Sequence, residues 1–168
     1  MVEFDDYVRL RGARLVQLAR LLVSDRHLAE DLVQEVLGKA YVRWHRIAQH
    51  GDPDVYLRRM LVNANSSWWR RRSSGELATG TIVDRSDRVD IAHQAVERDA
   101  TWRLVAELPT KQRAAVVLRF YEDLDDATIA EILQCSAVTV RTQTMRALAT
   151  LRQRLGTPPA LSSEGKQR

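Results

Sequence analysis

Asp31 and Glu35 are the side chains in this sequence best suited to acid–base or metal chemistry. Four residues apart on a helix, they would share one face. Catalysis would need more than two carboxylates. The four histidines, His27, His45, His50 and His93, are scattered and supply no H-E-x-x-H pattern. Walker, G-x-G-x-x-G and G-x-S-x-G loops are also missing, so no phosphate cradle or nucleophile elbow is offered. Cys135 is the single cysteine, which excludes an intrachain disulfide and a cysteine-cluster zinc site. It reads as a small packed residue. The carboxylate pair therefore reads as a solvated face or a docking surface for a basic partner. No enzyme activity, cofactor or metal is expected.

Recognition chemistry is better represented. The chain of 168 residues carries a net charge of only +4, but the charge is unevenly placed. Residues 51–72 hold five basic and two acidic side chains, and residues 137–156 hold four arginines and no acid. Between them, 73–100 and 101–136 are both net acidic. Clustered positive charge attracts polyanions, and its distribution is more telling than its total. In the first cluster, Trp68 and Trp69 run into Arg70, Arg71 and Arg72. Adjacent residues lie about 100° apart on a helix, so a narrow contact cannot bury both rings. A helical wheel puts Arg59, Val62, Asn63, Ser66, Trp69 and Arg70 opposite the apolar face. An exposed ring among guanidiniums suits unstacked bases, with the ring stacking and the arginines holding phosphates.

These side chains must be positioned by helices. Leu15, Leu18, Ala19 and Leu22 have amphipathic spacing, predicting a helix from near Asp5. A second, capped by Ser24 or Asp25, carries Leu32, Val33, Val36, Ala40 and Trp44. Gly51-Asp52-Pro53 stops it and starts a third, to about Arg72. From Ser73 the periodicity dissolves into a Ser/Gly/Thr-rich acidic stretch, which reads as a flexible linker. Beyond it, one helix holds Val96, Leu104, Val105 and Leu108, and another opens at Pro109 and runs through Phe120. A short helix from Ala127 to Leu133 capped by Asp125 or Asp126, a break at Gln134-Cys135-Ser136 and a helix from Ala137 to Leu155 fit a helix-turn-helix. Val138, Thr139, Thr142, Met145 and Arg146 would face outward, flanked by Arg141 and Gln143. Such a face can enter a major groove, where Arg pairs with guanine and Gln with adenine. No segment alternates as a strand. The expected fold is all-α: a helical domain over 1–72, a linker over 73–92, a helix-turn-helix domain over 93–156 and a disordered tail over 157–168. No apolar run reaches the roughly 18 residues of a membrane span, so a soluble, cytoplasmic protein is expected.

Three blocks now resemble one family. Ala29-Glu30-Asp31-Leu32-Val33-Gln34-Glu35 resembles region 2.2 of the sigma-70 family, in its small extracytoplasmic-function (ECF) group. Tyr56-Leu57 through Asn63 to Arg70-Arg71-Arg72 resembles regions 2.3 and 2.4. Leu108-Pro109 through Ile129-Ala130-Glu131-Ile132-Leu133 to Val140-Arg141 resembles region 4. With 23 Arg against 3 Lys, the sequence is similar to an actinobacterial subgroup.

The resemblance implies a protein that binds core RNA polymerase, at its β′ clamp helices and β flap, and directs it to promoters. Asp31, Gln34 and Glu35 would dock on the clamp helices. Arg59, Asn63, Ser66, Trp69, Arg70, Arg71 and Arg72 would bind the −10 DNA, and a loop from about Arg46 to Asp54 would hold a flipped base. Thr139, Arg141, Thr142, Gln143 and Arg146 would bind the −35 element. The linker would lie in the polymerase, and an anti-sigma factor is an expected partner. The sequence also departs from the family. Tyr56 stands where tryptophan is usual, Ser67 where aspartate is frequent, Gln134 and Val138 where glycine is common, and Gln143 where arginine is usual. A left-handed backbone at Gln134 would cost on the order of 1 kcal/mol. The competing reading is a stand-alone helix-turn-helix regulator of duplex DNA, which would need neither the region 2.2-like block nor the Trp-Trp-Arg-Arg-Arg run.

Overall fold

The structure is a computed structural model that describes residues 2–75 and 100–156. The described residues are helical, with no strand among them. The first half forms α1 (Phe4–Val23), α2 (Arg26–Val42), α3 (Trp44–His50) and α4 (Pro53–Ser73). The second half forms α5 (Ala100–Ala106), α6 (Thr110–Val116), α7 (Asp126–Leu133) and α8 (Ala137–Gly156). A π-helical turn, Val117–Tyr121, continues α6. Val96, the linker and the tail lie outside the described residues.

Local chemistry sets the helix ends. The Asp25 carboxylate accepts the Leu28 N–H at 2.9 Å and starts α2. Asp52 accepts the Asp54 N–H at 2.9 Å, with Pro53 as the first residue of α4. Arg70, Arg71 and Arg72 occupy the last turn of α4, where the helix dipole favours cations. Asp125 starts α7 by accepting the Thr128 N–H at 2.7 Å, which holds its carboxyl below the usual carboxylate range. Ser136 Oγ accepts the Thr139 N–H at 3.1 Å and starts α8.

The apolar positions meet in one buried cluster. Leu18 and Leu22 of α1, Leu32, Val33 and Val36 of α2, and Leu57 and Leu61 of α4 fill the first half. Leu108, Leu118, Ile129, Ile132, Val140 and Ala147 fill the second. Full burial of each such leucine or isoleucine contributes about 1.5–3 kcal/mol.

Three boundaries differ from the sequence reading. Trp44 does not end α2; the backbone breaks at Arg43 (φ −113°, ψ 9°) and Trp44 opens α3, its indole N–H donating to the Val2 carbonyl at 2.9 Å. The stretch expected as a loop from Arg46 is helical through His50, leaving Gly51 and Asp52 between helices. The expected helix through Phe120 changes to π geometry at Val117.

The two halves also pack on each other. Helix α4 lies against α7, and α1 touches α5, α6 and the π turn. Glu122, just after the π turn, has a fully buried side chain. It accepts from Arg58 Nη2 at 2.6 Å, Arg58 Nε at 2.9 Å and Arg14 Nε at 3.1 Å. This pairing holds the Arg14 guanidinium above its ordinary value. Arg113 of α6 donates to the Leu22 carbonyl at the end of α1 at 2.8 Å. At the rim Arg59 pairs with Glu131 of α7 at 3.1 Å.

Candidate polymerase and promoter interfaces

Helix α2 divides its faces cleanly. Ala29, Leu32, Val33 and Val36 are buried, while Asp31, Gln34 and Glu35 are exposed together. Glu35 is tied to Lys39 one turn on. Glu30 turns the other way, to Arg20 and Arg26 at 3.2 Å each, and these guanidiniums lower its carboxyl below its usual range. The described residues hold no His/Cys/Asp/Glu group suited to a metal ion. What α2 offers is an open acidic and amide face for a basic partner.

Helix α4 presents its predicted residues less openly than the wheel implied. Asn63, Arg70, Arg71 and Arg72 are exposed, and Ser66 is half-buried. Val62, expected on the outer face, is buried. Arg59 is drawn to Glu131, and Trp69 is half-buried rather than free. Arg59 is turned by the packing of α7 on this helix, which no single-helix wheel contains. Trp68 and Trp69 meet edge to face, with ring centroids 4.9 Å apart. The guanidinium that stacks is Arg72, 5.2 Å from the Trp68 ring centre. The Trp69 indole N–H is buried and has no partner among the described residues.

Helix α8 keeps its outer face clear. Val138, Thr139, Arg141, Met145 and Arg146 are exposed, with Thr142 and Gln143 half-buried beside them. Val140, Thr144, Ala147 and Leu151 are buried. Arg141 reaches back to Asp126 at 3.6 Å but remains 56% exposed. The α7–α8 turn is made by Gln134 in the left-handed conformation (φ 53°, ψ 48°). The Cys135 N–H then returns to the Ala130 carbonyl at 3.0 Å. Cys135 is part-buried, which pushes its thiol up, away from the reactive thiolate.

Sequence reasoning missed Arg14, Arg58, Arg113 and Glu122. They join the halves across 64 to 108 positions of chain, and no local pattern marks such a pair.

The helices divide as known protein families do. The family model for Sigma-70 region 2 matches residues 7–75, spanning most of α1 through α4. The model for Sigma-70, region 4 matches residues 98–151, from α5 well into α8. The chain belongs to the sigma-70 family. Within it, this sigma factor is similar to the RNA polymerase sigma-E factor of Streptomyces avermitilis, 39% identical over 155 residues, covering 92% of this chain and 86% of that protein. The sigma-E factor of Streptomyces coelicolor is 38% identical over 92% of this chain and 87% of its own length. The ECF RNA polymerase sigma factor SigW of Bacillus subtilis is 25% identical over 90% and 88%. The fold matches that of RpoE from Bartonella quintana, solved with the anti-sigma factor NepR (TM-score 0.71, 22% identity, 90% of this chain and 96% of that chain). CnrH, solved with the cytosolic domain of CnrY, shares it at TM-score 0.60, with 23% identity over 90% and 86%. This sigma factor is of the ECF group and directs promoter-specific transcription initiation. Among the described residues no helix is long and apolar enough to cross a membrane.

Proposed function

We propose that this sigma factor divides its work among three faces. Asp31, Gln34 and Glu35 of α2 dock on the β′ clamp helices of core polymerase. Arg59, Asn63, Ser66, Trp69, Arg70, Arg71 and Arg72 of α4 hold the −10 strand. Thr139, Arg141, Thr142, Gln143 and Arg146 of α8 meet the −35 duplex, with region 4 against the β flap. The polymerase does the chemistry, in the cytoplasm, and this chain supplies recognition and strand-separation energy. The observation that carries the reading is α8: an open face on a helix with four arginines and no acid, set by a helix-turn-helix. The exposed α2 face distinguishes the chain from a stand-alone regulator, which has no use for it.

The packing of α7 on α4 gives the −10 step a condition. Arg59 is held by Glu131, and the Trp69 N–H has no acceptor among the described residues. Arg59 must leave Glu131 before it can meet DNA. An anti-sigma factor is the expected partner for the closed arrangement, since both solved relatives were captured with a second protein. Trp69→Ala tests the assignment. Losing one base-stacking ring should lower open-complex formation about tenfold, while core binding is unchanged. Equal loss of both would refute the role given to Trp69.

A further inference from the structure

The outer face of α8 is more apolar than a basic DNA-binding helix requires. Val138 is 63% exposed and Met145 70%, seven residues apart on one side. Neither adds to the core, which α8 reaches through Val140, Ala147 and Leu151. The hydroxyls between them are engaged locally. Thr142 Oγ1 donates to the Val138 carbonyl at 3.0 Å, so it can only accept from a base. Thr139 Oγ1 lies 2.9 Å from Ser136 Oγ. The centre of the face therefore offers methyl and thioether groups, with Arg141 and Arg146 at its edges.

In the major groove only thymine among the four bases presents a methyl group, and apolar side chains read it by contact. Seven residues of helix rise about 10 Å, so the two side chains span at most about three base pairs. We propose that Val138 and Met145 are specificity-determining residues that read thymine 5-methyl groups in the −35 element. The inference rests on the reading of α8 as the −35 helix and deepens it. It makes thymine position, rather than a direct hydrogen-bond pattern alone, part of the promoter preference.

The test uses holoenzyme assembled from core polymerase and the full chain. Each thymine of the −35 element, on either strand, is replaced in turn by deoxyuridine, which removes only the methyl group. Affinity is read by competition with the unmodified promoter. One or two positions should weaken binding about fourfold each, the effect of one lost methyl contact. Val138→Ala or Met145→Ala should bind the unmodified promoter more weakly and lose the deoxyuridine effect at its own position. A −35 element whose scrambling abolishes binding, but which tolerates deoxyuridine everywhere or has no A·T pair, would overturn the methyl reading and leave α8 as the reader. Insensitivity to scrambling would overturn both.

Discussion

Replacing Glu122 by glutamine should separate the two halves of this sigma factor. The carboxylate is fully buried and accepts three hydrogen bonds, two from Arg58 and one from Arg14. Glutamine keeps the shape, loses the charge and turns an NH2 donor toward guanidinium donors. Breaking a buried ion pair costs about 3–5 kcal/mol. Two features reduce that figure here. Arg14 is 49% exposed, so water screens its share. Arg58 also has Asp54 at 4.0 Å as a second partner. A loss of about 2–4 kcal/mol in docking remains, or roughly 30- to 1000-fold in the ratio of closed to open molecules. Small-angle scattering should show a larger radius of gyration, and amide exchange should quicken along α4 and α7. Within each half the core helices should keep their protection, since Glu122 lies between the halves. A single-stranded −10 oligonucleotide should also bind the variant more tightly, because Arg59 is released from Glu131. Unchanged scattering and unchanged exchange in Glu122→Gln would refute the reasoning.

Four further outcomes are expected. Gln134→Gly should raise stability by about 0.5–1 kcal/mol, read by urea unfolding, because glycine takes the left-handed turn without a Cβ penalty. Thr144→Val should stabilise by about 1 kcal/mol in the same assay, since the Thr144 hydroxyl is buried without a partner among the described residues. Asp125 and Glu30 titrate below their unfolded values, so their contribution is complete above those values and disappears as pH falls through the folded ones. The melting temperature should be nearly level from neutral pH to about 5 and fall below about 4, less steeply in Asp125→Asn. Arg141→Ala should weaken −35 binding and reduce the salt slope by about one for the lost phosphate contact. An unchanged slope would remove Arg141 from the phosphate contacts.

Much of this architecture was legible because it is local. Asp25, Asp52 and Asp125 are caps within three residues of the groups they bind, and Pro53 marks a helix start without any partner. The buried stripes of α1 and α2 follow a 3.6-residue period, which the sequence displays directly. The left-handed turn at Gln134 was readable as a position even though its residue is unusual there. The π turn was not, because a change of hydrogen-bond register within an apolar run leaves the composition unaltered. Val62 and Trp69 were misplaced for a different reason. A wheel assigns faces relative to one core, and α4 packs against α1, α2 and α7 at once. The Glu122 junction shares that origin: it depends on docking of elements far apart in the chain, which no window of residues encodes.

The proposed function needs two readers, α4 for the −10 element and α8 for the −35 element, acting with core polymerase. Run-off transcription with purified core polymerase on a promoter library tests this most directly. Transcripts are expected only from templates sharing two separated elements, with Arg141 and Arg146 variants losing binding at the upstream one and Trp69 variants losing opening at the downstream one. Output equal to core polymerase alone, or a selection showing a single duplex element unaffected by α4 variants, would contradict it.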